Sequence, residues 1–435
     1  MKVILIIGII TPGNWILEAA ARNCQQEPCF FFLIIWGFIM ALFMNKRILR
    51  LLFCLMVIGI IYPKDTIVKT PIFPYQNKHV HASSVVEAPN GDLIACWFYG
   101  SGERTSNDVL VQGSRLKKGS KKWEPVFIMA DTPDLPDCNP VLFINPNDEL
   151  MLFWIAVRAN GWENSILRYK ISSDYDKTGA PKWKWQDIII LKPGESFYGS
   201  IKKAFEDNYS DPGWAEYALP YEKLITAAAA DKEKRQKGWM TRIHPTVLSS
   251  GRILLPLYSD GFNVALAAIS DDEGKSWRSS NPIVGFGPIQ PTFAERKDGS
   301  IMAYLRDSGG APQRVLMSES SDQGETWSFA IDTDIPNPGS SLEVTVLKNG
   351  HWVMAYNDTE DNRNNWAVSL SNDEGKTWMW KRHIGQSADQ SESFSYPSLI
   401  QTKDGKLHLT YSYGNPSGKT IMHASFDEKW IKKRN

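Results

Sequence analysis

The chain has 435 residues and a mass of 49.2 kDa, and its 48 basic and 48 acidic side chains give a formal charge of +0. This balance argues against a protein that binds nucleic acid through its overall charge. With 43% hydrophobic and 22% charged residues, the composition is too apolar for a disordered chain and too polar for a protein made of many membrane spans. Abundant Trp, Tyr and Phe, with 31 Gly and 25 Pro, favour many short strands separated by turns.

Two apolar runs lie near the N-terminus, at residues 30–43 and 51–61. Neither reaches the roughly 20 residues that a membrane-spanning helix needs. From Met44 onward, however, a basic start and a short apolar run follow the pattern of a secretory signal peptide. No A-x-A cleavage site follows, so a membrane anchor is the alternative. We expect residues 1–65 to export the protein to the periplasm, the medium or the cell surface, and residues 66–435 to form one domain.

A turn motif recurs three times in the second half of the chain. The pattern S-x-D-x-G-x-[TS]-W begins at Ser270, Ser320 and Ser371, at intervals of about 50 residues. The Asp side chain can accept backbone N–H groups while Gly adopts a positive φ, so we interpret these motifs as structural hairpin turns.

A second repeat concerns strands that open with a polar residue and end at a Gly or Asp turn. Six such strands occur, and repeated four-stranded units of this length are typical of β-propellers. We therefore predict an all-β fold, a six-bladed propeller over about residues 75–430. The long interval between Trp183 and His244 contains a helix-favouring stretch at residues 227–234, which predicts a partly helical insertion after the second blade.

The opening residues of the six strands are the candidate site. Inner strands of a propeller line its axis, so their first residues converge at one end of the channel. Six converging polar groups indicate a binding or catalytic site rather than six independent core residues. They are His81, Asn139, His244, Gln290, Glu343 and Tyr396.

Together these features resemble the sialidase (neuraminidase) superfamily, and specifically its BNR-repeat, neuraminidase-like branch, over about residues 79–430. The resemblance implies exo-acting cleavage of a terminal acidic sugar from a glycan, without a cofactor. It also implies three arginines that bind the sugar carboxylate, an Asp acid/base, and a Tyr nucleophile assisted by Glu.

Several positions match this pattern. After the first strand the family has a loop with an Arg followed by the acid/base Asp, and residues 102–108 fit this order, so Asp108, which follows Arg104, is the candidate acid/base. Arg306 and Arg363 precede the second and third turn motifs, and such guanidiniums can bind a carboxylate through paired, charge-assisted hydrogen bonds. Tyr396 opens the last inner strand, as the family's nucleophile does.

Three positions depart from the pattern. His81-Ala82-Ser83 replaces the first arginine of the family, and Ser412 stands where that arginine's Glu partner is expected. Gln290 occupies the position of the Glu that activates the Tyr, for which Glu343 is the candidate substitute. His81 and His244 are additional candidates for acid/base catalysis, because histidine titrates near neutral pH.

The leading hypothesis is an exported, monomeric sialidase-like exo-glycoside hydrolase. Arg104, Arg306 and Arg363 would bind the anion, Asp108 would protonate the leaving oxygen, and Tyr396 or a water activated by Glu343 would attack. A uronate lyase using pocket His and Tyr groups, and a non-catalytic carbohydrate-binding propeller, are the alternatives. We expect no metal, because H-x-H at residues 79–81 is a weak signal and Cys96 and Cys138 lack ligand spacing.

Overall fold

The computed structural model describes residues 67–208 and 221–433. These residues form six antiparallel sheets arranged as a six-bladed β-propeller with a partly helical insertion after the second blade, which confirms the predicted fold. The predicted export segment, residues 1–65, lies outside the described residues. No helix in the described ranges is long and apolar enough to cross a membrane.

The strands fill the blades in chain order, except that β1 (Val68–Pro71) is the outermost strand of the last blade. Blade one contains β2 (His79–Glu87), β3 (Leu93–Gly100), β4 (Leu110–Leu116) and β5 (Phe127–Ala130). Blade two contains β6 (Asp137–Ile144), β7 (Leu150–Val157), β8 (Ser165–Ser172) and β9 (Trp185–Ile188). Blade three contains β10 (Met240–Thr241), β11 (Thr246–Val247), β12 (Ile253–Ser259), β13 (Val264–Ser270) and β14 (Arg278–Ser279).

The remaining blades are regular and four-stranded. Blade four contains β15 (Pro288–Glu295), β16 (Ile301–Asp307), β17 (Arg314–Ser320) and β18 (Ile331–Pro336). Blade five contains β19 (Glu343–Val346), β20 (Trp352–Asn357), β21 (Asn365–Ser371) and β22 (Trp380–Gln386). Blade six contains β23 (Ser393–Gln401), β24 (Leu407–Asn415), β25 (Gly418–Phe426) and β1.

Strand β1 closes the ring of blades. It pairs antiparallel with β25, from Val68 opposite Ser425 to Pro71 opposite Met422. The backbone N–H of Ile72 extends this pairing by donating to Ile421 O at 2.9 Å. The last blade is therefore completed by the first described strand, so that no three-stranded blade is left with an open edge.

Four inner strands carry the same irregularity near their first residues. The register of β2, β6, β15 and β23 shifts at this point, and the residue in the bulge has a positive φ. These residues are Ala82 (φ 56°), Asn139 (φ 49°), Gln290 (φ 52°) and Tyr396 (φ 55°). A bulge redirects a side chain out of the regular alternation of a strand. In three of the four strands this distortion presents a polar side chain, that of Asn139, Gln290 or Tyr396, at the end of the propeller where the inner strands begin.

The three repeated turns lie between the third and outer strands of blades three, four and five. In the first, Ser276 N donates to Asp272 Oδ1 at 2.9 Å and Gly274 N donates to Ser270 Oγ at 2.8 Å, while Gly274 has φ +92°. Because neighbouring strands run in opposite directions, these turns are on the face opposite the inner-strand starts. They are structural, as expected from the sequence.

We expect Gly375→Ala, in the third of these turns, to lower the free energy of unfolding by about 2–5 kcal/mol. Gly375 has φ +79°, and an added Cβ would contact Tyr304 Oη and lie 2.8 Å from the Trp352 ring. Gly119→Ala is the matched control, because Gly119 has the same φ but no atom within 4 Å of the added Cβ. Urea unfolding should show a loss of only about 1–2 kcal/mol for the control, and equal losses would contradict the steric argument.

The insertion contains α1 (Glu195–Asn208), α2 (Tyr221–Ala230) and α3 (Lys232–Arg235); a further helix, α4 (Glu428–Lys432), follows blade six, and Trp162–Asn164 form a 3₁₀ turn. The helical stretch predicted at residues 227–234 is interrupted, because Asp231 caps α3 by accepting hydrogen bonds from Glu233 N and Lys234 N. Phe197 of α1 packs edge-on against Phe262, at 5.7 Å between ring centroids. The insertion thus supports the turn between β12 and β13.

Candidate active site

A cavity of about 330 Å³ opens at the end of the propeller where the inner strands begin. Three of the four bulged residues contribute to its wall, together with residues of the loops around it. The lining residues are His81, Phe98, Glu103, Asn139, Trp162, Tyr258, Asp260, Asn263, Ile289, Gln290, Arg306, Ser308, Arg363 and Tyr396. The structure therefore brings together six of the ten predicted site residues: His81, Asn139, Gln290, Arg306, Arg363 and Tyr396.

Tyr396 is surrounded by guanidinium groups. Arg306 Nη1 donates a hydrogen bond to its hydroxyl at 3.1 Å. The guanidinium carbons of Arg242 and Arg363 lie 4.8 Å and 5.4 Å from the centroid of its ring. This arrangement supplies the positive charge that stabilises a phenolate.

The charge environment lowers the pKa of Tyr396. Burial alone would raise this pKa, but Arg306, Arg363 and Arg242, together with a hydrogen bond from Gln290, outweigh burial and hold it below its ordinary value. Arginines thus provide the activation that the sequence pattern had assigned to a missing Glu. Arg242 is 2% exposed and is fixed beneath the ring, donating to Pro397 O at 2.8 Å.

His81 contacts the edge of Tyr396, with ring centroids 4.0 Å apart and an interplanar angle of 80°. Burial, followed by the charge of Arg363, holds the pKa of His81 well below its ordinary value. His81 is therefore a neutral imidazole at physiological pH, able to accept a hydrogen bond or a proton.

Two amides and a second tyrosine form the opposite wall. Asn139 Nδ2 and Gln290 Nε2 donate to Tyr258 Oη at 3.1 Å and 3.2 Å. Burial and the nearby Asp260 hold the pKa of Tyr258 well above its ordinary value, so Tyr258 remains a phenol. The cavity thus holds one tyrosine whose pKa is lowered and one whose pKa is raised.

Two carboxyl groups line the cavity, and their pKa values are shifted in opposite directions. Glu103 Oε1 lies 3.0 Å from His79 Nε2, and this partner lowers the pKa of Glu103. Asp260, on the turn between β12 and β13, is exposed to the open cavity. Desolvation by the protein around its carboxyl group raises its pKa, although Arg306 and Arg104 oppose this shift. Of the two, Asp260 is the better candidate proton donor, because its protonated form persists to higher pH.

The structure places Asp108 outside the residues that line the cavity. Its carboxylate accepts hydrogen bonds from Ser101 Oγ at 2.6 Å, Ser101 N at 3.0 Å and Lys78 Nζ at 3.1 Å. These bonds, those from Ser101 above all, lower the pKa of Asp108 to about 2. A carboxyl group in this environment is ionised at neutral pH and has no proton to give.

Arg104 also lies outside the lining set, but it borders the cavity. Its guanidinium carbon lies 5.4 Å from the ring centroid of Trp162, which does line the cavity. The pair forms part of the cavity rim.

His244 and Glu343 form a buried pair that the structure does not bring into the cavity wall. His244 Nδ1 lies 2.6 Å from Glu343 Oε1, and Leu399 N donates to Glu343 Oε2 at 2.7 Å. His244 Nε2 donates to Val85 O at 3.0 Å. His244 lies in the break between β10 and β11, whereas Glu343 opens β19, whose pairing with β20 has no bulge. Through this contact the two residues join blades three and five.

Within the described residues, no group of three or more His, Cys, Asp and Glu side chains could hold a metal ion. His79 and His81 are neighbours, with ring centroids 5.5 Å apart, whereas His244 is held by Glu343.

Residues 91–204 and 238–409 match the family model of the BNR repeat-like domain. The chain belongs to this family. It is thereby a member of the sialidase superfamily, as its turn motifs and blade repeat had predicted.

Among curated proteins, this BNR-repeat protein is similar to the anhydrosialidase of Macrobdella decora, with 26% identity over 194 residues. The match covers 40% of this chain and 25% of the leech protein. Among solved structures, a protein of unknown function from Dyadobacter fermentans matches with a TM-score of 0.60 at 16% identity, covering 83% of this chain and 99% of that one. The intramolecular trans-sialidase of Ruminococcus gnavus matches with a TM-score of 0.57 at 14% identity, covering 83% and 97%. These structural likenesses show the fold.

Several residues at the site of this BNR-repeat protein escaped the sequence analysis, among them five whose contacts are described above. Arg242 could have been found, because it stands two residues before His244 at the start of the same blade. The other four come from loops and turns or, in the case of Tyr258, from the second strand of a blade, and no repeat marks them: Glu103, Trp162, Tyr258 and Asp260.

Proposed function

We propose that this protein is an exported sialidase-like exo-glycoside hydrolase that removes a terminal acidic sugar, of the sialic acid or uronate type, from glycans. The observation that carries the proposal is the position of Tyr396 within a polar cavity, hydrogen-bonded to Arg306 and flanked by Arg242 and Arg363. A neutral sugar would require no such concentration of positive charge.

Arg306 and Arg363 bind the carboxylate of the sugar. Arg306 donates one hydrogen bond to Tyr396 and Arg363 donates one to Gly339 O at 3.1 Å, so each guanidinium keeps N–H groups for an anion. Two planar guanidiniums orient a carboxylate better than two ammonium groups do. Arg104, at the rim, attracts the anionic sugar into the cavity.

The reaction then follows the two-step course of a retaining glycosidase with a Tyr nucleophile. The phenolate of Tyr396 attacks the anomeric carbon, the glycosidic C–O bond breaks, and Asp260 gives its proton to the leaving oxygen. Water then attacks the same carbon, the bond to Tyr396 breaks, and the Asp260 carboxylate takes the proton of that water. We assign the acid to Asp260 rather than Asp108 because Asp260 lines the cavity and its pKa is raised.

The test is product analysis on sialylated, uronate-capped and rhamnose-capped glycans, with Arg306→Ala beside the unmodified protein. We expect release of a free acidic sugar, and a loss of about 100-fold or more in kcat/KM in Arg306→Ala. The pKa of Tyr396 should also rise, which displaces the activity maximum to higher pH. Full activity of Arg306→Ala on an acidic substrate would contradict the anion-binding role.

One observation favours the uronate lyase as a second candidate. His81 is neutral and contacts Tyr396, so it could remove the proton at C5 of a uronate while Tyr396 protonates the leaving oxygen. The same panel separates the two reactions, because a lyase forms an unsaturated product that absorbs ultraviolet light and a hydrolase forms none.

A further inference from the structure

A second depression, of about 340 Å³, lies on the same face of the propeller as the cavity. It is formed by the connection that leads into β23, by the turn between β24 and β25, and by the segment after β1. Its lining residues are Gln76, Asn77, Gln390, Ser391, Glu392, Ser393, Gly414, Asn415, Pro416, Gly418 and Lys419. Its volume is at the lower end of the range of small-ligand sites.

The depression is polar but nearly neutral. Its only charged lining side chains are Glu392 and Lys419, and both have partners. Tyr413 Oη donates to Glu392 Oε1, and Lys419 Nζ lies 3.4 Å from His79 Nδ1. The remaining groups are amides, hydroxyls and backbone, which are the donors and acceptors that match the hydroxyl groups of an uncharged sugar.

Aromatic surface borders the depression. Gln76 also lines a neighbouring hollow whose wall includes Tyr75 and Tyr99. Tyr75 is 40% exposed and lies 6.1 Å from Tyr413 between ring centroids. Exposed tyrosines provide a flat apolar surface with a polar edge, against which the C–H face of a sugar ring can pack.

One imidazole separates the depression from the cavity. His79 lies 3.0 Å from Glu103, which lines the cavity, and 3.4 Å from Lys419, which lines the depression. A glycan whose terminal sugar occupies the cavity can therefore extend over His79 into the depression without crossing a blade.

We propose that this depression binds the neutral sugar units that follow the terminal acidic sugar of the substrate. The proposal rests on the function proposed above, which it deepens by assigning a site to the remainder of the glycan. It makes the protein selective for oligosaccharides over small glycosides.

The first test measures direct binding of three neutral disaccharides, lactose, N-acetyllactosamine and cellobiose, by ligand-observed NMR. Asn77→Trp is the blocking variant, because Asn77 is exposed and makes no hydrogen bond within the described residues. Lys121→Trp is the control, because Lys121 is exposed in the turn between β4 and β5 on the opposite face. We expect at least one disaccharide to bind, with affinity at least about fivefold weaker in Asn77→Trp and unchanged in Lys121→Trp.

The second test compares 3′-sialyllactose and a uronate-capped trisaccharide with the corresponding aryl glycosides. Asn77→Trp should raise KM at least about fivefold on the trisaccharide that is cleaved, and change kcat/KM on the aryl glycoside less than about twofold. Equal effects on both substrates, or disaccharide binding that Asn77→Trp leaves intact or that never occurs, would overturn the subsite. Absence of turnover on every capped glycan, with disaccharide binding lost in Asn77→Trp, would overturn the proposed function instead.

Discussion

Replacement of Tyr396 by Phe should lower kcat on the acidic glycan at least about 1000-fold, because it removes the nucleophile and leaves the rest of the cavity in place. The ring retains its contact with His81 and its position beside Arg242 and Arg363, which do not require the hydroxyl. Binding of an acidic sugar should therefore change less than about threefold. Steady-state kinetics and calorimetric titration with the sugar product measure the two quantities.

Tyr258→Phe is the matched control for this experiment. Tyr258 lines the same cavity and accepts hydrogen bonds from Asn139 and Gln290, but burial and the nearby Asp260 keep its hydroxyl protonated. We expect it to lose less than about tenfold in kcat. If Tyr396→Phe behaved like Tyr258→Phe, Tyr396 would not be the nucleophile.

Replacement of Asp260 by Asn should lower kcat by about 100- to 10,000-fold on an alkyl or sugar leaving group, which needs a proton to depart. The loss should be small on a 4-nitrophenyl glycoside, whose leaving group is stable as an anion. Only the protonated form of Asp260 donates, and that form is depleted as the pH rises through its raised pKa. The decline of activity as the pH rises through the pKa of Asp260 should therefore disappear in Asp260→Asn.

The Asp108→Asn variant tests which residue donates the proton: Asp260, or Asp108 as the sequence pattern indicates. Asp108 is already ionised, with its pKa at about 2, and lies outside the cavity wall, so its amide should retain activity within about threefold. A large loss in Asp108→Asn that depends on the leaving group, with Asp260→Asn unaffected, would assign the proton to Asp108 and refute our choice.

Much of the fold and the centre of the cavity could be predicted from sequence because both depend on repeats. The inner strands begin at equivalent points, so Asn139, Gln290 and Tyr396 could be placed together before any coordinates were known. Their positive φ values give a physical reason for their convergence, and the Pro that follows each of them marks the bulge.

The site residues that could not be predicted depend on how the loops pack at the end of the propeller. Asp260 stands in the turn between β12 and β13, and its raised pKa depends on desolvation by surrounding protein that no local sequence pattern records. Glu343 opens β19 as expected, but His244 lies in the break between β10 and β11, and the two side chains bind each other outside the cavity wall. Residues at equivalent positions of the repeat therefore lie at the same end of the propeller, but their side chains point in different directions.

The pairing of β1 with β25 constrains the order in which the molecule can fold. Thr420 Oγ1 donates to Phe73 O, and these residues are 347 positions apart in sequence. Blades one to five are each built from strands that follow one another closely, so their contacts cost little loop-closure entropy. Blade six instead forms only when β1 and β25, the first and last described strands, pair with each other. During synthesis the ring of blades therefore stays open until β25 has been made. The cavity, whose wall includes both His81 and Tyr396, takes its final shape only at that late step.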